Sequence, residues 1–324
     1  MRAAYYEAQG SAREVMRVGE IATPTAGPGE VRVKLATSGV NPSDVKSRQG
    51  GRPMAAPQVI PQSDGAGVID QVGDGVAQSR IGERVWVFNG QWKRPFGTAA
   101  EYIALPAALA VKLPDKISFE EGACLGIPAM TAFHAVELAE PVKGATLLVA
   151  GGAGAVSQYA IQFAKMRGAT VIATVSSADK AKIAIEAGAD HCIDYKTEDV
   201  GARVMELTEK RGVDAVIEMN VSANAKLLPG VLRPKGSVII YGIAGPEAAI
   251  PAAFCLVNSI RLQFFLVYEL DATERARTVA GITSALESGK LVNRVAQPTY
   301  GLDDIASAHE AVEKGTIGNV VVRI

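Results

Sequence analysis

The stretch that most constrains the fold is the apolar run 146–150, Thr-Leu-Leu-Val-Ala. It enters Gly151-Gly152-Ala153-Gly154-Ala155-Val156-Ser157 and continues at helical spacing through residue 167. After it, short apolar runs at 170–175, 191–195, 215–218 and 237–241 alternate with helix-like segments. Strands that alternate with helices need crossover connections, and crossovers make a parallel sheet covered on both faces. The expected class is therefore α/β, with a doubly wound parallel sheet.

A glycine turn between strand and helix lets the backbone approach a pyrophosphate, whose charge meets free N–H groups at the helix start. The pattern is G-x-G-x-x-S, with Ser157 where a third glycine would bring helix and strand together. The plain alternative is that the small residues only permit close packing. The second strand ends at Val175 and is followed by Ser176, Ser177, Ala178, Asp179 and Lys180. Selectivity for NAD needs an Asp or Glu at that strand end to accept from the ribose 2′-OH. Serine stands there instead, and Asp179 falls where helix capping is the expected job. Ser176, Ser177 and Lys180 offer donors and a charge to a 2′-phosphate, so NADPH is expected over NADH. Against this stands a solvated surface role for Lys180.

Up to about residue 120 the texture differs. Alternating apolar runs at 31–36, 67–72, 84–88 and 99–104 are punctuated by Gly and Pro, the mark of a strand-rich, barrel-like or irregular β region. A helix is expected over 121–137, with Pro128 breaking or kinking it. The run 262–267 is followed by a helix near 272–288, a strand near 294–299, a helix near 302–314 and a last strand at 319–323. Because the tail is β-rich like the start, both ends of the chain are expected to close one domain, residues 1–122 with 260–324. The nucleotide-binding domain, 123–259, is inserted between them.

Lys and Arg total 33 against 34 Asp and Glu, a net charge of −1. That leaves no excess to attract phosphate backbones or anionic lipid, so neither nucleic acid nor membrane is an expected partner. Cys124, Cys192 and Cys255 are widely separated and show no CxxC spacing. With no basic leader followed by an apolar run, they point to a soluble, cytoplasmic protein with reduced thiols.

At this point the chain resembles the medium-chain dehydrogenase/reductase superfamily, in its zinc-independent quinone oxidoreductase (zeta-crystallin-like) branch. The carriers are GVNPSDVKSRQG at 39–50, DGAGVIDQVG at 64–73, GTAAEY at 97–102, residues 128–132, the glycine turn, and GADHCIDY at 188–195. The resemblance implies a Rossmann-type domain inserted in a GroES-like, partly open β-barrel catalytic domain, with the nicotinamide held in a cleft. It also implies a homodimer joined through the last strands of the cofactor sheets; the apolar run 262–267 suits such pairing, though it could equally be buried within one subunit. Zinc alcohol dehydrogenases of the superfamily carry Cys where Asn41 stands and His-Glu where Ser63-Asp64 stand. A catalytic zinc site needs about three such ligands, so no metal is expected. His134, His191 and His309 read as structural.

By the same resemblance Asn41 and Lys46 line the substrate end as the catalytic residues, Lys46 taking the place of a tyrosine in related quinone reductases. The alternatives are an Asx-turn at Asn41-Pro42 and a surface pair of Asp44 with Lys46. Thr131 would hold the carboxamide, and Ala153, Gly154, Ala155 and Val156 the pyrophosphate. Tyr195 would contact the adenosine phosphate side, with a half-buried strand-end tyrosine as its alternative. Ser222, Gly242, Ile243 and Asn319 fill further cofactor contacts, and 91–95 could form a lid. The expected activity is NADPH-dependent hydride transfer to a quinone. Its rival is reduction of the double bond of an enone or enoyl compound, and a non-catalytic NADPH-binding structural or sensor protein is the alternative of another class.

Overall fold

Six strands pair in parallel in the order His191–Asp194, Thr170–Val175, Thr146–Val149, Val213–Glu218, Leu232–Ile240 and Arg261–Phe264. In chain order this is 3-2-1-4-5-6, the doubly wound arrangement whose order reverses between the first and fourth strands. The inner strands carry buried runs of Val, Ile and Leu because both their faces are covered, whereas the outer two, His191–Asp194 and Arg261–Phe264, are more exposed. Leu148, Ile172, Val216 and Val238 pack with Val200, Val204, Leu228 and Val231, all buried. The computed structural model, which describes residues 1–140 and 143–324, places this sheet in a unit spanning Ala129–Ile282.

Residues 1–128 and 283–324 form the other unit. Its organising strand, Glu30–Val40, is long enough to serve three antiparallel partners. Asp64–Val72 runs along most of it, Tyr102–Pro106 takes residues 30–34, and Val320–Arg323 takes residues 37–40. Arg84–Val87 and Ala110–Lys112 extend the sheet. Register shifts between Arg32 and Val33 and between Leu35 and Thr37 bend the central strand, as bulges do, and let the sheet curl into a partly open barrel. The C-terminal strand thus closes the N-terminal domain, as the sequence pattern implies.

Two expectations are corrected. The units divide at 128/129 and 282/283 rather than at 122/123 and 259/260, because Arg261–Phe264 is the sixth strand of the parallel sheet and carries the following segment with it. The expected strand near 294–299 is reduced to a single bridge from Val295 to Asn319 and a two-residue strand, Tyr300–Gly301. Pro298 has no N–H to give to a ladder. Pro128 does interrupt its helix, which becomes Phe119–Gly122, a π-helical turn Leu125–Ala129, and Met130–Leu138. Arg261–Phe264 is an edge strand in this chain, with Phe264 58% exposed.

A polar network runs through the barrel unit. Arg48 is fully buried, paired with Glu313 and donating to the Gly10 carbonyl, and its Nε donates to His309 Nδ1 at 3.4 Å. Gln62 Nε2 lies 3.4 Å from His309 Nε2, while Gln62 Oε1 accepts from Ser38, which meets Thr98 at 2.6 Å. Burial, aided by the Arg48 cation, pushes the His309 imidazole down to about 3, so it is neutral in the fold. A histidine that charges more readily when unfolded stabilises the fold fully above its unfolded value, about 6.5, and loses that contribution as pH falls towards 3. Wild type should therefore lose stability faster than His309→Gln between pH 6.5 and 4 in thermal melts. Parallel pH profiles would show that His309 is not buried neutral.

Candidate functional site

The strand Thr146–Val149 is buried along its length and ends in the glycine turn. Gly151 takes φ +63°, open to glycine, and its N–H donates to Thr174 Oγ1 at 3.1 Å, while Gly152 N–H donates to the Thr174 carbonyl at 2.8 Å. The turn is thereby pinned to the end of the second strand. A Cβ on Gly152 would stand 2.7 Å from Ala173 Cβ and 3.0 Å from Ala184 Cβ, so packing alone demands glycine there. Gly154 differs. It is the N-cap of helix Ala155–Met166 with φ −69° and no side-chain cap, and a Cβ would approach nothing nearer than the Gly151 carbonyl at 3.2 Å. What a side chain there would obstruct is the space in front of the helix, whose first N–H groups have no intrahelical acceptor. Ser157, in the third glycine position, is 1% exposed and turns its hydroxyl back to the Ala150 carbonyl at 2.8 Å. The substitution is absorbed without an unpaired donor.

At the end of the second strand, Lys180 Nζ donates to Ser176 Oγ at 3.0 Å, and Ser177 caps the next helix by accepting from Lys180 N–H at 3.3 Å. Asp179 is directed away, into an exposed pair with Lys182 at 3.1 Å. Tyr195 is 52% exposed, and its N–H donates to the Val175 carbonyl at 3.1 Å. The loops after the fourth and fifth strands are joined by Val221 N–H to the Gly242 carbonyl at 3.3 Å. A Cβ on Gly242 would fall on the Met219 carbonyl. Ser222 donates to the Glu247 carbonyl at 3.3 Å, and Ile243 is 41% exposed. Residues 153–156, Ser176, Ser177, Lys180, Tyr195, Ser222, Gly242 and Ile243 therefore all lie just past the carboxyl ends of the parallel strands. Thr131 lies instead in the first turn of helix Met130–Leu138, buried.

Asn41, Lys46 and Asn319 belong to the barrel unit. Asn319 is spent locally, with its N–H and Nδ2 both donating to the Arg294 carbonyl, at 2.8 and 3.1 Å. Lys46 is exposed on helix Pro42–Arg48. Asn41 caps that helix in a capping box with Asp44, to which its N–H donates at 2.7 Å. Its Nδ2 donates to Asp64 Oδ2 at 2.7 Å, and the same oxygen accepts from Ile127 N–H at 2.7 Å. Asp44 and Asp64 are both buried, and one oxygen of each has no partner among the described residues. Burial pushes Asp44 up to about 7 against the pull of the Asn41 N–H and Arg52; burial, and repulsion from Asp44, push Asp64 well above the usual range.

The metal question turns on this cluster. Asn41, Ser63 and Asp64 offer no thiolate and no imidazole, and Asp64 already accepts two hydrogen bonds. No group of three or more His, Cys, Asp or Glu among the described residues could hold a metal ion. The donor set does not fit zinc. The histidines do not change this: His191 is exposed on its strand, His309 is locked in the barrel network, and His134 packs on Phe265 with ring centroids 5.0 Å apart.

Two family models match, the alcohol dehydrogenase GroES-like domain over residues 27–115 and the zinc-binding dehydrogenase over 155–283. A quinone oxidoreductase of Pseudomonas aeruginosa is 32% identical over 239 residues, 73% of this chain and 72% of that one. The chain belongs to the medium-chain dehydrogenase/reductase superfamily, in its quinone oxidoreductase branch. It is also 29% identical to a 2-haloacrylate reductase of Burkholderia over 316 residues, 94% of this chain and 93% of the relative. Among solved structures, an NAD-dependent alcohol dehydrogenase superposes with a TM-score of 0.92 at 29% identity, covering both chains completely. Escherichia coli quinone oxidoreductase in complex with NADPH superposes with 0.90 at 25%, again over both whole chains. This chain is accordingly an oxidoreductase of the superfamily that uses a nicotinamide cofactor.

The glycine turn separates two roles that a motif merges. Gly154→Ala should leave the melting temperature almost unchanged yet weaken reduced dinucleotide binding about tenfold in a fluorescence titration. Gly152→Ala should lower both, its overpacking costing about 1–3 kcal/mol. Equal affinity in Gly154→Ala and wild type would remove Gly154 from the cofactor site.

Proposed function

We propose that this chain is an NADPH-dependent, zinc-independent quinone oxidoreductase. The observation that carries the cofactor choice is the serine–lysine pair at the end of the second strand. Ser176 and Lys180 converge there with donors and a positive charge, and Asp179, the first carboxylate along the chain after the strand end, is engaged with Lys182. A 2′-phosphate suits such a group, whereas a bare ribose would leave the lysine unanswered. The E. coli relative bound to NADPH supports this reading.

The bound cofactor supplies the hydride. The chain's own residues then have two tasks. Residues 153–156 meet the pyrophosphate with helix N–H groups, and Thr131 anchors the carboxamide, which together orient the reacting face. At the substrate end Asn41 offers an amide to the acceptor or the adjoining ribose, and Lys46 a cation. A donor set without metal ligands suits an acceptor that spreads developing charge over its own conjugated oxygen, as a quinone does. Reduction of an activated carbon–carbon double bond is the second reading, supported by the 2-haloacrylate reductase relative.

In this reading the chain works as a homodimer paired through the edge strand Arg261–Phe264, whose exposed Phe264 suits a covered edge. A solution mass of one chain, 33.8 kDa, would refute it. No helix among the described residues is long and apolar enough to cross a membrane, in keeping with a cytoplasmic enzyme.

Oxidation of NADPH and NADH should be followed with phenanthrenequinone and a short enone in parallel. Turnover with NADPH and the quinone is expected to be fastest, and Ser176→Asp should shift the kcat/KM ratio towards NADH by about tenfold or more. Faster enone turnover would favour the second reading. Turnover no better than buffer with every acceptor would leave the non-catalytic, cofactor-binding alternative, and an unaltered cofactor ratio in Ser176→Asp would overturn the 2′-phosphate assignment.

A further inference from the structure

Asp64 opens the strand Asp64–Val72 and is fully buried, yet its carboxylate serves neither the strand pairing nor a cation. Taking a carboxylate out of water costs several kcal/mol, and an apolar or amide residue of like size would spare the fold that cost. What the carboxylate does instead is join two segments remote in sequence. Oδ2 accepts from the Asn41 side chain and from the Ile127 main chain, both at 2.7 Å. Such hydrogen bonds are worth about 0.5–1.5 kcal/mol each, and losing one leaves a buried polar group without its partner. The surroundings are shaped to the arrangement, since a Cβ on Gly126 would fall on the Asp64 carboxylate. Asn41 is held from two directions, its main chain by Asp44 and its amide by Asp64. With one Nδ2 proton given to Asp64, the carboxamide cannot flip or swing without breaking a buried hydrogen bond.

We propose that Asp64 is a positioning residue for hydride transfer, acting through Asn41 by fixing the orientation of its carboxamide and tying it to the turn at Ile127. This rests on the functional reading above, in which Asn41 faces the acceptor or the nicotinamide ribose. An amide released from its anchor rotates, and a displacement of about 1 Å at a reacting centre can cost up to about a hundredfold in rate.

The test is a double-substitution cycle on kcat with the better of the two acceptors. Asp64→Leu, which fills the space but accepts no hydrogen bond, should lower kcat about tenfold with NADPH affinity within about twofold. Asp64→Asn, which can keep an oxygen in the accepting place, should restore most of the loss. Adding Asp64→Leu to Asn41→Ala should cost nothing further, because the residue through which Asp64 acts is gone. The side-chain amide protons of Asn41, identified in a nuclear magnetic resonance spectrum by their absence from Asn41→Ala, should be protected from exchange in wild type and Asp64→Asn but not in Asp64→Leu. Should Asp64→Leu fail to fold, Gly126→Ala displaces the carboxylate and should give the same loss of kcat and protection. Losses that multiply in the double variant, or a kcat that holds while the Asn41 amide loses protection, overturn the positioning role alone. A wild type that turns over neither acceptor overturns it together with the proposed function.

Discussion

Parallel pairing of the six strands is the constraint from which the proposed cofactor site follows. A parallel strand can be followed by its neighbour only through a crossover, so every strand is left at the same edge of the sheet. Gly154, Ser176, Tyr195, Ser222 and Gly242 are far apart in sequence and come to the same edge of the sheet in consequence, each standing one to a few residues past a strand end. Reversal of the strand order between Thr146–Val149 and Val213–Glu218 separates the loops at that point. The glycine turn occupies it, pinned by Thr174 on one side and packed against Met219 on the other.

The barrel unit meets a different constraint, that of burying charge. It does so in two ways. Around Arg48 the ion pair with Glu313, the Gly10 carbonyl and a neutral His309 give the guanidinium partners on several sides. Around Asn41 two carboxyl groups share one amide-bearing residue, and each keeps an oxygen without a partner among the described residues. The first arrangement is what a buried cation needs for structure alone. The second leaves part of its polar capacity unspent, which stability does not require and the proposed site would use.

Much of this was legible in the sequence because it depends on local pattern. The strand–turn–helix at 146–167 needed only apolar runs and glycine spacing, and the serine at 176 needed only the position of a strand end. The boundary at 282/283 was not legible in the same way. Whether the run after residue 260 pairs with Leu232–Ile240 or returns to the barrel depends on long-range partners, and its own sequence suits either. Asp64 was visible as a residue and as a departure from zinc relatives, but its bonds to Asn41 and Ile127 span 23 and 63 positions and follow no period. The failed strand near 294–299 had its signal in Pro298, outweighed by the apolar residues around it.

The same departure from the zinc pattern bears on what the site can reduce. A bound metal ion stabilises a developing oxyanion by several kcal/mol, whereas one neutral amide hydrogen bond contributes about 1 kcal/mol net. A site that has Asn41, Ser63 and an already committed Asp64 at these positions offers the weaker help. On the proposed reading the difference must lie in the acceptor. A saturated ketone concentrates the new charge on one oxygen and needs a strong electrophile beside it. A quinone or an activated alkene carries the charge through conjugation, so orientation by a fixed amide and a well-seated cofactor suffices. On that reading the absence of zinc ligands at these positions and a preference for conjugated acceptors are one chemical fact seen from the protein and from the substrate.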